Sequence, residues 1–466
     1  MAKEEAAAAR ALVKLADGTV KQRNQLTGTE VWTVPGRGHR PLSKPQVNPS
    51  PISAQDHTST CAFCSDRYLE TPPEKSRIVL GDADLPADNT TRCGDFRIVE
   101  GLAADQLSKY PADFRRIPNL FEIVSYQYWH LNHGHEPSDK ERQHLAEYLS
   151  TPTGYDHVLR VVRAKLHQYG MNDEEINSLS EPEMLGQANS FFSGGHDLIV
   201  ANRHFVPGAT DSSQLASAGT LTPEELHAYT AFTARALRDL YDLDPAVKYV
   251  ATFQNWLKPA GASFDHLHKQ LVAIDEFPVQ TTQERERLRK DPDIYHTILK
   301  IRATRGLILA QNEDAIAMAG VGHRYPTIAV WPLGKPCNPW DAGEKKTRAV
   351  SDILHAIHAA TGADVPCNEE WYHRPLSVST PMRWRILLKW RISTLAGFEG
   401  GTRIYLNTID PWGISRRVVP RLKSCGQPVK SRICALVRKP KFRPPYWINH
   451  ALSRNWRLAC GYLNWD

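Results

Sequence analysis

Two histidines and a glutamine alternate in His266-Leu267-His268-Lys269-Gln270, directly after a stretch that carries Asn255, Gly261 and Ser263. Side chains on a strand repeat every two residues, so both imidazoles and the amide share one face while Leu267 and Lys269 take the other. Lined up beside a Gly/Ser loop, such a face suits phosphate chemistry. Backbone N–H groups and the Ser263 hydroxyl can cradle phosphate oxygens, and an imidazole can attack phosphorus. The plainer alternative is a solvated polar face on an edge strand. A second group is Cys61-Ala62-Phe63-Cys64, whose spacing lets two thiolates share one zinc ion, although a redox pair or two buried thiols can use it as well.

The elements that must position these groups follow from periodicity and caps. An amphipathic helix is expected over residues 1–20, with Leu12, Val13 and Leu15 apolar and Gly18 as its stop. A strand follows at 31–34 and a Pro/Ser/Gln-rich loop at 41–58. Helical spacing runs from 138 to about 169, broken at Thr151-Pro152-Thr153-Gly154. Residues 197–201 read as a buried strand. Thr222-Pro223-Glu224-Glu225 opens a strong helix, with Thr222 at the N-cap, Pro223 at N1 and Glu225 at N3. Strands at 247–254 and 266–274 come next. A second strand, helix, strand set lies at 326–331, 348–361 and 385–388. The repeated order implies an α+β fold with an internal duplication.

Length and charge bound the class. The chain has 466 residues, 41% hydrophobic and 23% charged, enough for two to four domains of an ordinary globular protein. No apolar run approaches the ~20 residues of a membrane helix, the N-terminus has no apolar leader segment, and eight cysteines are too scattered for a disulfide scaffold. A cytoplasmic protein without a membrane partner is expected. From Arg416 to Asp466 there are 12 Lys/Arg and one acidic residue. A mildly acidic body therefore carries a basic tail, in which Arg438-Lys439, Lys441, Arg443, Tyr446 and Trp447 mix cations with aromatics. Any nucleic-acid partner is confined to that tail.

The stretch from Asn255 to Gln270 resembles the galactose-1-phosphate uridylyltransferase branch of the histidine-triad superfamily, whose signature is N…G-x-S-x-x-H-P-H-x-Q, with Leu267 in place of the proline. Asn24-Gln-Leu-Thr-Gly28 through Arg37, Arg40 and Pro41 resembles that family's opening segment. Pro118-Asn119-Leu120-Phe121 resembles its nucleoside-binding segment, with Leu120 in place of an aspartate. Gly397-Phe398-Glu399 followed by Tyr405-Leu406-Asn407 resembles its second half. The resemblance implies two tandem histidine-triad-like half-repeats, each an antiparallel sheet with packed helices. It implies His268 as the nucleophile that becomes a nucleotidyl-histidine, with Gln270 on the phosphoryl oxygens. Asn255, Gly261 and Ser263 would line the phosphate site, Arg37 and Arg40 would bind substrate phosphates, Asn119 the nucleoside, and Glu399 the sugar.

It also implies one structural zinc site, in which Cys61 and Cys64 are completed by His204 and His266; His130 competes for the third place. A second metal site of the family is expected to be lost, because its H-x-H-x-E reads Arg383-Trp384-Arg385-Ile386-Leu387 here, and arginine keeps its proton. Arg383 and Arg385 would then either bind an anion or lie at the surface. The expected organisation is a helix over 1–20, a catalytic half over 21–290 with a helical insertion within 121–195, a degenerate half over 291–415 and a basic tail over 416–466. The implied activity is transfer of a nucleoside monophosphate between a nucleotide sugar and a sugar-1-phosphate, in carbohydrate metabolism and with a homodimer as the family's usual form. The alternatives are an ADP-sugar or dinucleoside polyphosphate phosphorylase or hydrolase, a nucleotide-binding protein held on nucleic acid by its tail, and a silent zinc scaffold.

Overall fold

The computed structural model describes residues 11–36, 48–81 and 83–424. Twelve strands form one sheet: β4 (Ser76–Leu80), β5 (Thr90–Cys93), β6 (Phe96–Glu100), β7 (Phe114–Pro118), β8 (His196–Ala201), β9 (Tyr249–Trp256), β10 (His268–Ile274), β11 (Ile308–Gln311), β12 (Ala315–Ala319), β13 (Thr327–Pro332), β14 (Cys367–Tyr372) and β15 (Arg385–Trp390). Their order is β11-β12-β13-β15-β14-β9-β10-β8-β7-β4-β6-β5, every pair antiparallel. Around the central β9–β14 pair the order is mirrored: β8-β10-β9 on one side, β14-β15-β13 on the other. Each trio follows the same chain order, strand, helix, strand, strand, with Pro223–Leu240 and Gly343–Thr361 as the two helices. The fold is thus α+β and built from two half-repeats, and Arg385 opens β15 as His268 opens β10.

Both helices lie on one face of the sheet and against each other. The first begins as its sequence demands: Thr222 Oγ1 accepts from Glu225 N–H at 3.1 Å, and Glu225 returns the bond to Thr222 N–H at 2.7 Å. Period-2 alternation divides the strands between two cores. Ile328 and Val330 of β13 and Ile386 and Leu388 of β15 enter the large core under these helices. Ala329, Trp331 and Leu387 point to the other face, which the helices Val279–Lys290 and Ile294–Thr304 cover in the second half. Residues 126–193 form six helices with a core of their own around Val158, Val161 and Phe191. Among the described residues no helix is long and apolar enough to cross a membrane.

Two expectations need correction. Residues 12–14 are not helical but form β1 (Leu12–Lys14), which pairs with β2 (Val20–Arg23). Asp17-Gly18 closes a tight turn rather than ending a helix: Leu15 N–H bonds to Thr19 O, and the Asp17 carboxylate accepts from Thr19 N–H and Oγ1. With β3 (Glu30–Thr33) and β16 (Ile404–Leu406) these strands make a second, four-stranded sheet. The basic tail does not begin at 416, because a helix over Pro411–Ser424 buries Ile414, Val418 and Leu422 against Gly343–Thr361, β11 and β12, with Pro420 inside it. The rest of the tail, 425–466, lies outside the described residues, as do residues 1–10 of the expected N-terminal helix.

On the helix-covered face, Lys269 of β10 meets Glu369 of β14 at 3.2 Å, both side chains wholly buried. The Lys269 ammonium also lies 3.7 Å from the Tyr229 ring centre. Glu369 accepts from His358 Nε2 and Trp371 Nε1 at 2.7 and 2.6 Å. Burial would raise the Glu369 carboxyl, but Lys269 and these donors hold it down at about 2. Removing one partner strands the other charge, so Lys269→Met should cost about 3–5 kcal/mol. The double variant Lys269→Met/Glu369→Leu should recover much of that loss in thermal or urea unfolding. Because the Glu369 carboxyl lies below its ordinary 4.5, its stabilisation is complete above that pH and fades as the pH falls towards 2.

Candidate active site and metal centre

Cys61, Cys64, His204 and His266 each offer one ligand atom, and the four atoms lie within 4.8 Å of one another. The sulfurs are 3.8 Å apart; His204 Nδ1 lies 3.5 and 3.6 Å from them, and His266 Nδ1 3.4 and 3.8 Å. Bonds of ~2.3 Å to sulfur and ~2.0–2.1 Å to nitrogen around a tetrahedral ion require S···S of about 3.8 Å and S···N of about 3.6 Å. Side-chain protonation agrees. His266 Nε2–H donates to Ala201 O at 2.6 Å, so Nδ1 turns its lone pair to the sulfurs. The Cys61 thiol, together with His204 and His266, holds the Cys64 thiolate well below the usual thiol range. The four residues fit a closed Cys2His2 metal site. His130 is elsewhere, on the helix Tyr126–His133, with Nδ1 at 3.1 Å from both His135 O and Glu136 Oε1.

The second imidazole of the strand face stands two residues further on. His268 Nδ1–H donates to the His266 carbonyl at 2.7 Å, which leaves the lone pair on Nε2. Burial pushes the His268 pKa down, keeping the ring neutral. Phe63, from between the two cysteines, packs on both rings, 5.8 Å from His266 and 5.4 Å from His268 between centroids. The Cys61–Cys64 loop therefore bears directly on His268.

Gln270 follows on the same face and is gripped by a residue that the sequence reading missed. His196, at the start of β8, is kept neutral by burial, its pKa pulled down to about 4. Its Nδ1 accepts from Ile123 N–H at 3.1 Å, so the proton sits on Nε2 and is donated to Gln270 Oε1, also at 3.1 Å. That bond leaves the Gln270 NH2 to serve a ligand. Asn119, just past β7, accepts from Phe121 N–H and packs beside the His196 ring, its amide nitrogen 3.0 Å from Nε2 as a second donor rather than a partner. Nothing in the spacing of His196-Asp197 marks the first residue as special; only the pairing of Leu198 with Gln270 brings it there.

The loop after β9 completes the group. Gly261 sits at φ +88°, a conformation only glycine adopts cheaply, although a Cβ there would meet only the Asn255 amide nitrogen, at an ordinary contact distance of 3.8 Å. Asn255 Nδ2 bonds to Gly261 O at 3.4 Å, and Asn255 Oδ1 accepts from Asn368 Nδ2 at 2.7 Å. Ser263 is exposed on the same loop. One expected member is not brought in. Glu399 is buried, and its carboxylate accepts from Ala396 N–H at 3.1 Å, capping its own helix Gly397–Thr402. Arg37 and Arg40 lie outside the described residues.

In the second half, Arg385 is neither a surface residue nor open to an anion. It is buried and forks onto Glu284 of the helix Val279–Lys290, at 2.8 Å for Nη1, and Tyr295 Oη donates to the same carboxylate. Arg383 lies over Tyr295, 5.2 Å from its ring centre.

This twelve-stranded α+β fold of two half-repeats is shared with solved structures of known proteins. The chain superposes on a galT-like protein from Arabidopsis thaliana with a TM-score of 0.54 at 15% identity, covering 86% of this chain and 98% of that one. It superposes on an ADP-glucose phosphorylase from Arabidopsis thaliana, solved with bound ADP-glucose, with a TM-score of 0.53 at 16% identity and the same coverage. Residues 15–435 match the family described as "Domain of unknown function (DUF4921)", and the chain belongs to that family. No curated protein matches its sequence.

Elemental analysis of the purified protein should find one tightly held metal ion per chain. His204→Ala and Cys64→Ser should lose it, whereas His130→Ala should retain it; metal lost from the His130 variant alone would reassign the third ligand.

Proposed function

We propose that the protein is a nucleotidyltransferase that works through a nucleotidyl-His268 intermediate, taking a nucleoside monophosphate from a nucleotide sugar and passing it to a phosphate acceptor. The observation that carries this reading is the tautomer of His268: the His266 carbonyl takes Nδ1–H, so an unprotonated Nε2 stands beside Gln270. The Nε2 lone pair attacks the α-phosphorus, a P–N bond forms, and the bond to the bridging oxygen breaks. Sugar-1-phosphate leaves with that electron pair. An oxygen of the acceptor phosphate then attacks the same phosphorus, and the P–N bond breaks to restore neutral His268.

The amide of Gln270, the N–H groups around Gly261 and the Ser263 hydroxyl are suited to the charge on the phosphoryl oxygens. Arg37 and Arg40 would add to them, and Asn119 would meet the nucleoside. Zinc is the ion we assign to Cys61, Cys64, His204 and His266, where two thiolates and two imidazoles suit it. Its contribution there is a crosslink that fixes the His266 carbonyl and Phe63, and through them His268. Similarity to an ADP-glucose phosphorylase over nearly all of that chain favours testing adenylyl as well as uridylyl donors. The engagement of Glu399 with its own helix weakens its assignment to the sugar.

Intact mass after mixing with UDP-glucose, ADP-glucose or diadenosine tetraphosphate tests the proposal. A gain of one UMP or AMP, acid-labile and absent in His268→Ala, is expected, and the donor that labels names the base. Nucleotide release without adduct would indicate a hydrolase; neither adduct nor release would leave a scaffold or a role for the basic tail. Gln270→Ala should slow labelling by about 10²–10³, as for loss of one oxyanion donor. His196→Phe, which frees the amide to turn, should slow it less, with little change in donor affinity.

A further inference from the structure

A well-formed cavity lies apart from His268. It encloses about 460 Å³ on the same sheet face in the second half, floored by Arg385, Leu387 and Lys389 of β15 and roofed by the turn between β2 and β3. That turn presses close: a Cβ on Gly322 would lie 2.1 Å from Asn24 N, and Gly322 N–H bonds to Gln22 Oε1 at 3.1 Å. A smaller cavity of about 30 Å³ shares Asn24, His323 and Arg385 with it and reaches Arg302.

Charge in these cavities is unbalanced. Arg385 is answered by Glu284, and Lys389 by Glu370 at 2.5 Å. Three other guanidiniums have no carboxylate partner among the described residues. Arg302 is 4% exposed, its Nη1 has no hydrogen-bond partner, and burial alone pulls its pKa down to about 9. Arg391 stacks 4.7 Å from the Tyr325 ring centre, with Nη1 on Asn368 Oδ1 at 2.8 Å and a buried Nε that bonds nothing. Arg324, exposed at the rim, lies over Tyr325 and Tyr405. Burying a cation without a partner is costly, and forked guanidiniums match phosphate oxygens.

We infer that this cavity is a second ligand site, specific for a phosphomonoester carried on a sugar or nucleoside. Arg391 and Arg324 take the phosphate, Arg302 supplies positive potential from below, and Tyr325 and Tyr405 flank the ring. The site is separate from His268 but joined to its loop. Asn368, which accepts from Arg391, donates to Asn255 Oδ1 at 2.7 Å and to Ala260 O at 2.8 Å. The inference stands whether or not His268 carries a nucleotide.

Calorimetric titration of the full-length protein with inorganic phosphate, glucose 1-phosphate and AMP tests it. Binding by at least one is expected, and the best binder separates a sugar phosphate from a nucleotide. Arg324→Ala and Arg391→Gln should each weaken it by about tenfold or more, the loss of a charge-assisted bond. His268→Ala should leave the affinity within about twofold, because that residue is remote from the guanidiniums. Arg302→Met should raise the melting temperature of the ligand-free protein and shrink the upward shift caused by the ligand. Absence of binding by all three overturns the inference. So does binding that His268→Ala abolishes and Arg324→Ala leaves intact, which would place the ligand in the transfer site and support the proposed function instead.

Discussion

A lysine in the middle of a sheet, sealed under helices, must find its counter-charge where it stands, and Lys269 finds it on the other half-repeat. The alternation that turns His268 and Gln270 to one face forces Lys269 to the opposite one. Glu369 reaches it from β14, itself held by His358 of the helix behind. A register slip of one residue would put His268 in the apolar core and the Lys269 ammonium on the opposite face. The pair therefore fixes which face is chemical and how the halves meet across β9 and β14, so the geometry at His268 depends on it.

On the face that carries His268, order passes outward from the Cys2His2 group. Four ligand atoms at tetrahedral spacing hold His266, the His266 carbonyl selects the tautomer of His268, and Phe63 packs on both rings. On the far side Ile123 N–H selects the tautomer of His196, which turns the Gln270 amide. Two rings that are each fixed by a backbone group thus bracket the place where phosphorus would sit. The second half has kept the strand and replaced the chemistry: Arg385 opens β15, and Glu284 neutralises it.

The local signals in the sequence were the legible ones. Thr222-Pro223-Glu224-Glu225 specified a helix start that the side-chain bonds reproduce, and the two sets of strands and helix became the mirrored trios once β14, a strand not read from the sequence, was added to the second. Cys61, Cys64, His204 and His266 converge although up to 205 residues separate them, a pairing that family resemblance supplied and spacing alone did not. What stayed hidden depends on register and long-range packing. His196 has meaning only opposite Gln270, Glu369 only opposite Lys269, and Glu284 only against Arg385. Leu12 and Val13 read as part of a helix, and pairing with β2 decided for a hairpin. The helix after Pro411 was obscured by a run of arginines whose apolar neighbours, Ile414, Val418 and Leu422, are spaced for docking.

The parallel pairing of β16 with β3 joins residues 404–406 to 30–32. During synthesis β1, β2 and β3 are made early, yet the fourth strand of their sheet arrives nearly four hundred residues later. Until then β3 presents an open edge. The small sheet is thus a clasp that closes only when most of the chain has been made. A chain that stops short of residue 406 leaves it open, with an unpaired strand available to other chains.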